Sequence, residues 1–416
     1  MSFSLRTCAL LASLGLGVGL WLASGLAQDA IATPRTPAAA SGSWLVLDDA
    51  APVLREPREG ARRRGTVRVN TRVPNLGVVR GAGCPGGTWA RVGPQLYLCA
   101  EHVRASSLPP AGESIPRVAD GEILPRRYAF VRYDGTRAYR DPIDAFMDRY
   151  EETYGEGFGL VVTERRELRD SAFLETRRGL WVEEESLTLA RGSSFAGREI
   201  AEGEASDLGW VLANDARVYA RPGGHVTAHV GRREVVHVAS TTRDWVERVG
   251  GGFLRERDVA HMTPAPLPAD VQGDERWIDV DVDQQVLTVF AGARPVFATL
   301  VSTGLPDPNH ATPVGEFHIW AKLAFSDMTN LAQTDVRRNY AIEAVPWVQY
   351  FEHANGLHAA FWHDDFGHRR SHGCVNLSPT DAHRVWNETW PVIPQGWQGV
   401  ATDHTGFRAS RVVVTD

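Results

Sequence analysis

The apolar residues between Trp44 and Met262 come in short runs, and this restricts most of the chain to strands. Trp44-Leu45-Val46-Leu47, Val67-Arg68-Val69, Val78-Val79, Trp89-Ala90-Arg91-Val92 and Leu96-Tyr97-Leu98 are separated by turn residues, Gly and Pro among them. Five such runs predict a small β-barrel over 44–108. A similar rhythm fills 120–190 and closes on Gly179-Leu180-Trp181-Val182. It returns over 208–262 with Val218 to Gly224, Trp245-Val246-Glu247-Arg248-Val249 and Gly251-Gly252-Phe253-Leu254. Beyond Pro264, Pro266 and Pro268, Ile278, Val280 and Val282 alternate with Asp279, Asp281 and Asp283, which predicts a half-buried strand. Val286 to Phe290 and Val296 to Val301 continue the pattern. The reading is mainly β: three small β-barrel modules, then a last domain over 275–416.

At 416 residues the chain exceeds one ordinary domain, and 43% hydrophobic with 23% charged residues is globular composition. The net charge of −7 leaves no polybasic patch for nucleic acid or anionic lipid. Of 44 basic residues only Lys322 is lysine, a bias attributed to coding. Arg6, the uncharged run Thr7 to Ala27 and its close on Gly25-Leu26-Ala27 read as a signal peptide over 1–27, with a flexible Ala/Thr/Pro/Ser tether over 28–43. The alternative is an uncleaved membrane tether. Either form places the remainder outside the cytoplasm, in the periplasm or cell envelope.

Export gives the cysteines meaning. Removing the signal removes Cys8. Cys84 and Cys99 then form a close pair that predicts a disulfide, and Cys374 stands alone. An unpaired exported thiol is an oxidation liability unless it does chemistry.

Cys374 lies in Leu357-His358-Ala359-Ala360-Phe361-Trp362-His363-Asp364-Asp365-Phe366-Gly367-His368-Arg369-Arg370-Ser371-His372-Gly373-Cys374-Val375-Asn376-Leu377. A thiol near two histidines offers a nucleophile and a base, and Gly373 lets nearby amides turn toward a developing oxyanion. Ser378-Pro379-Thr380-Asp381 predicts a helix N-terminus, with the helix running to about Trp390 and its positive end favouring the thiolate.

Ser371-His372-Gly373-Cys374-Val375-Asn376, a histidine 16 residues upstream and Thr312-Pro313-Val314-Gly315-Glu316-Phe317 resemble the signature of the L,D-transpeptidase (YkuD-like) catalytic domain. The resemblance covers roughly the last third of the chain and implies a β-sandwich-like domain with a short helix after the nucleophile. It implies Cys374 as nucleophile, His358 as base oriented by a backbone carbonyl, and an oxyanion site shaped by His372, Gly373 and Cys374. Ser371, Asn376, Trp362 and Tyr350 are the expected substrate contacts. Ala359 and Asn376 depart from the commoner Gly and Arg, the second bearing on how a substrate carboxylate is held. The implied reaction acts on peptidoglycan stem peptides without a cofactor: D-alanine leaves, Cys374 carries the acyl group, and a 3→3 cross-link follows. Water or a wall lipoprotein are the alternative acceptors. The first and third modules loosely resemble bacterial Src-homology-3-like modules, as spacers or wall binders.

Three rival readings compete. Cys374 could be a buried small hydrophobe. His358, His363, His368 and His372 with Asp364 and Asp365 could hold zinc, although the gaps around Gly367 give no shared helical face. A non-catalytic wall-binding protein is the third, and the intact His358 and Cys374 argue against it. The aromatics Tyr340, Trp347, Tyr350 and Phe351 are read as either an acyl-site wall or core.

Overall fold

A computed structural model of the chain describes residues 42–112, 116–204, 207–331, 340–402 and 408–416. The expected signal peptide and nearly all of the tether lie outside them. Strands dominate, and the chain's α-helix among the described residues is Pro379–Glu388.

The C-terminal region is two packed sheets. One has the order Arg198–Glu199, Arg294–Leu300, Val286–Ala291, Arg276–Asp281, Arg411–Thr415, Gly315–His318. The other contains Ala321–Thr329, Ala341–Glu352, Asn355–Ala359, Val375–Leu377 and Trp397–Ala401. Between them lies a core that includes Ile278, Val280, Leu287, Val289, Trp347, Leu357, Val375 and Val385. The first strand is not half-buried as its alternation predicts. Asp279 and Asp281 are also covered, because Phe195, Ile200, Ala260 and Met262 pack over that face of the sheet. Burial, with Asp281 adding to it, raises Asp279 to a pKa of about 7.

None of the three N-terminal regions closes into a barrel. The first splits between a three-stranded sheet, Arg72–Pro74, Ser43–Val46 and Val103–Ser106, and a larger one. Its Cys84 and Cys99 are joined by a disulfide, with Cα atoms 5.5 Å apart. The third is an open seven-stranded path from Val226–Gly231 to Val259–His261.

Nor are these regions free-standing. Arg63–Val67 pairs antiparallel with Trp397–Ala401, and Trp397 enters the first region's core. Gly65 permits this approach: a Cβ there would sit 2.2 Å from the Gly399 carbonyl oxygen. Gly159 bridges Ile342 in parallel, so one fifteen-stranded sheet runs from the second region through the C-terminal hairpin to the first. The third region presses Leu212 against Gly367, and its Arg233 pairs with Asp364 at 2.5 Å.

The helix has the expected start: Ser378 Oγ accepts from the Asp381 amide at 3.2 Å, and Pro379 opens the first turn. It ends at Glu388, two residues before the expected Trp390. Lys322 closes that end. Its buried ammonium donates to the Trp386 carbonyl, to the Thr389 carbonyl at 2.7 Å and to Thr389 Oγ1 at 3.2 Å. A helix leaves its last carbonyls unpaired, and here they are buried. A compact ammonium reaches three oxygens around one point, which a planar guanidinium does not. The lone lysine thus has a structural cause that composition does not reveal. Burial lowers its pKa to about 7, while the three acceptors hold its proton. Lys322→Met orphans buried carbonyls at about 1–3 kcal/mol each. Its urea unfolding should show a loss of about 2–4 kcal/mol, and an unchanged midpoint would contradict this role.

Candidate active site

The site is built on two parallel neighbours. Asn355–Ala359 pairs with Val375–Leu377 in the register Leu357↔Val375, His358↔Asn376 and Ala359↔Leu377. Side chains alternate faces along a strand, so His358 and Asn376 share one face. Leu357 and Val375 point the other way, into the core. Cys374 stands at the turn just before the second strand.

That turn is fixed from both sides. Gly373 has φ +114°, and a Cβ there would meet Asn355 Oδ1 at 2.3 Å. The Ser371 hydroxyl donates to the Cys374 carbonyl and accepts from the Gly373 amide at 3.1 Å. Thr312 Oγ1 donates to the Gly373 carbonyl at 3.0 Å and accepts from the Gly304 amide at 2.8 Å. Both carbonyls flanking the Cys374 Cα are therefore held by hydroxyls. Ser371, expected at the substrate, is buried and engaged within the turn. The Gly373 amide, expected at an oxyanion, is engaged there too.

Cys374 is half-buried. Its Sγ lies 3.7 Å from the Ala354 carbonyl, and the Gly356 amide donates to it. Burial raises the thiol above its ordinary pKa, with the Gly356 amide pulling the other way. His358 is 2% exposed, and its Nδ1 lies 3.1 Å from the Ala359 carbonyl. A carbonyl only accepts, so Nδ1 carries the proton and Nε2 keeps its lone pair. Burial lowers His358 to about 4, so at neutral pH the pair rests as thiol and imidazole.

Asn376 is oriented by a histidine that sequence reading set aside. The Asp365 amide donates to His363 Nδ1 at 3.2 Å, and the Asn376 side-chain amide faces His363 Nε2 at 3.1 Å. The atom turned to Nε2 is the Asn376 Nδ2, and the buried Oδ1 at the other end of the amide finds no partner among the described residues.

The four aromatics before His358 divide. Trp347 and Phe351 join the core, whereas Tyr340 and Tyr350 border Cys374. Both tyrosines are raised first by burial, and the Cys374 thiolate adds to it. Tyr350 stacks on Trp320 at 5.8 Å and shares a 3.1 Å hydrogen bond with Ser326 Oγ. Trp362 lies 5.7 Å from the His358 ring. His372 is exposed, between Tyr340 at 5.6 Å and His310 at 4.6 Å, and His310 bonds Asp307 at 2.9 Å. Asp307 and His310 went unnoticed in the sequence; their one signal is the Asp-x-x-His spacing just before Thr312.

The histidines that suggested zinc do not converge. His358 bonds its own strand, His363 bonds Asn376, His368 lies 3.2 Å from Asp365, and His372 meets His310 edge to face. Among the described residues the donor atoms that do cluster belong to Cys99, Glu101 and His102, and Cys99 is in the disulfide.

Residues 275–393 match the YkuD family of L,D-transpeptidase catalytic domains. The chain is 25% identical over 168 residues to "Putative L,D-transpeptidase YciB" of Bacillus subtilis (strain 168), covering 37% of this chain and 73% of that protein. Among solved structures, an Enterococcus faecium L,D-transpeptidase C442S mutant aligns at 20% identity and TM-score 0.26, over 34% of this chain and 50% of that one. A Mycobacterium smegmatis L,D-transpeptidase aligns at 15% and 0.27, over 61% and 98%. This chain thus spans half of the Enterococcus protein. It is to this family of catalytic domains that the segment 275–393 is similar.

The His358 environment has a pH signature. Between about pH 6.5 and 4 the unfolded chain binds a proton that folded His358 does not. This group therefore destabilises the fold as pH falls through that window, and costs nothing above it. NMR of ring-labelled histidine should keep His358 neutral to near pH 4; a midpoint at 6–7 would contradict its burial.

Proposed function

We propose that this chain is an exported peptidoglycan L,D-transpeptidase working through an acyl-enzyme on Cys374. The observation that supports it best is the shared edge of the two parallel strands, with His358 in the tautomer that leaves Nε2 basic.

In this reading the Cys374 proton passes to His358 Nε2 as sulfur attacks the carbonyl between the third stem residue and the terminal D-alanine. The negative oxygen is met by the Cys374 amide, since the Gly373 amide is engaged by Ser371. The carbon–nitrogen bond breaks, His358 returns its proton to the leaving amine, and a thioester remains. An amine of a second stem attacks the thioester, giving up a proton to His358; the carbon–sulfur bond breaks as His358 returns that proton to the Cys374 sulfur, leaving the free thiol and a 3→3 cross-link. The bond energy is kept in the thioester, so no nucleotide or metal is required. Ser371 and Thr312 are positioning residues for the turn. Trp362, Tyr350 and Asn376 line the acyl site, Asn376 standing where relatives more often carry Arg. Secretion by the 1–27 signal places the reaction in the periplasm or cell envelope.

Incubation with disaccharide-tetrapeptide followed by mass spectrometry should give D-alanine and a cross-linked dimer. Free tripeptide in place of the dimer would assign a carboxypeptidase, and no conversion at all would favour a wall-binding protein. Cys374→Ala should abolish conversion. His358→Ala should lower the rate by about 10²–10⁴-fold, as removal of a general base does. His372→Ala should lose less; the reverse order would make His372 the base.

A further inference from the structure

The strand Ala341–Glu352 that carries Tyr350, and that Tyr340 leads into, is held from outside the catalytic domain. At its kink Ala344 has φ +47°, a left-handed conformation that a residue with a Cβ rarely adopts. Both polar groups of this residue are gripped. Its carbonyl accepts from the Tyr128 hydroxyl at 2.8 Å, and its amide donates to Asp327 Oδ1 at 2.8 Å. Asp327, at a bulge between the two strands, is paired in turn with Arg177. Arg177 also reaches Glu343 at 3.5 Å, and Glu343 accepts from the Val161 amide at 2.9 Å. Tyr128, Val161 and Arg177 all come from the second N-terminal region. Its Tyr128 ring also stacks on Phe361 at 4.1 Å, next to Trp362.

We propose that Tyr128 and Arg177 of the second N-terminal region are positioning residues for the acyl site, holding Ala344 in its left-handed kink so that Tyr340 and Tyr350 line Cys374. Neither residue touches the reacting atoms. Without the grip, Ala344 relaxes toward ordinary strand geometry, and a change there redirects the side chains on either side of it. The tyrosine wall contacts the donor stem in both its bound and reacting states, so its loss reads out in KM more than in kcat. The second region is then part of the substrate-binding apparatus. The kinetic arm of the test rests on the reading of Cys374 as an acyl site.

Tyr128→Phe keeps the ring stack and removes one hydroxyl; Arg177→Met removes the ion pair with Asp327. Each should raise KM for the donor tetrapeptide about five- to tenfold, with kcat within about twofold. Cys374 alkylation by iodoacetamide should stay at the wild-type rate, and amide hydrogen exchange over 340–350 should rise. Ala344→Gly in the Tyr128→Phe background should restore KM, because glycine adopts φ +47° without the strain that drives alanine out of it. Unchanged KM and exchange in both variants would overturn the proposal. So would a general loss of kcat, alkylation and fold that glycine does not rescue. If the wild type does not turn over the tetrapeptide, the acyl-transfer reading fails, and the exchange measurement still decides whether the grip exists.

Discussion

Everything at the candidate site depends on the register between Asn355–Ala359 and Val375–Leu377. Side chains alternate, so a slip by one residue would send His358 into the core and bring Leu357 to the cleft. Burial of Leu357, Val375 and Leu377 in the core opposes that slip. The hydrophobic effect thus fixes the geometry of a polar site, without any bond between the reactive groups themselves. The turn at Gly373 adds a second constraint, because its φ of +114° is a backbone conformation that favours glycine.

The N-terminal regions reinforce this arrangement. A strand of the first extends the catalytic sheet at Trp397–Ala401, the second bridges the opposite side at Ile342, and the third covers the face of Asp279 and Asp281. Loosely tethered spacers would not share a sheet or a core with the domain they follow. Strand addition also covers sheet edges that would otherwise offer unpaired amides to other chains. The strand Arg411–Thr415 lies between Arg276–Asp281, to which it is parallel, and Gly315–His318, so this sheet is joined only when that strand is in place.

How much was legible in the residues follows from how local each signal is. Short apolar runs and turn residues announce strands, and Ser378-Pro379 announces a helix start, because both are settled within a few positions. The Cys374 motif is local as well. The covered face of Asp279 was not, since alternation reports polarity and cannot say that a segment from an earlier region packs over it. Lys322 looked incidental because its three acceptors lie more than 60 residues away. Tyr350 and Phe351 point to opposite faces as neighbours on one strand, but which of the two faces meets the core is decided by the sheet that packs there. The roles of His363 and His310 depend on partners that only the folded chain brings near.

The most direct measurement of the central claim is intact-protein mass spectrometry after exposure to a carbapenem-type β-lactam, followed by peptide mapping. The account predicts a single covalent adduct, on the peptide containing Cys374, formed more slowly in His358→Ala and absent in Cys374→Ala. An adduct on any other residue, or one that persists in Cys374→Ala, would contradict it.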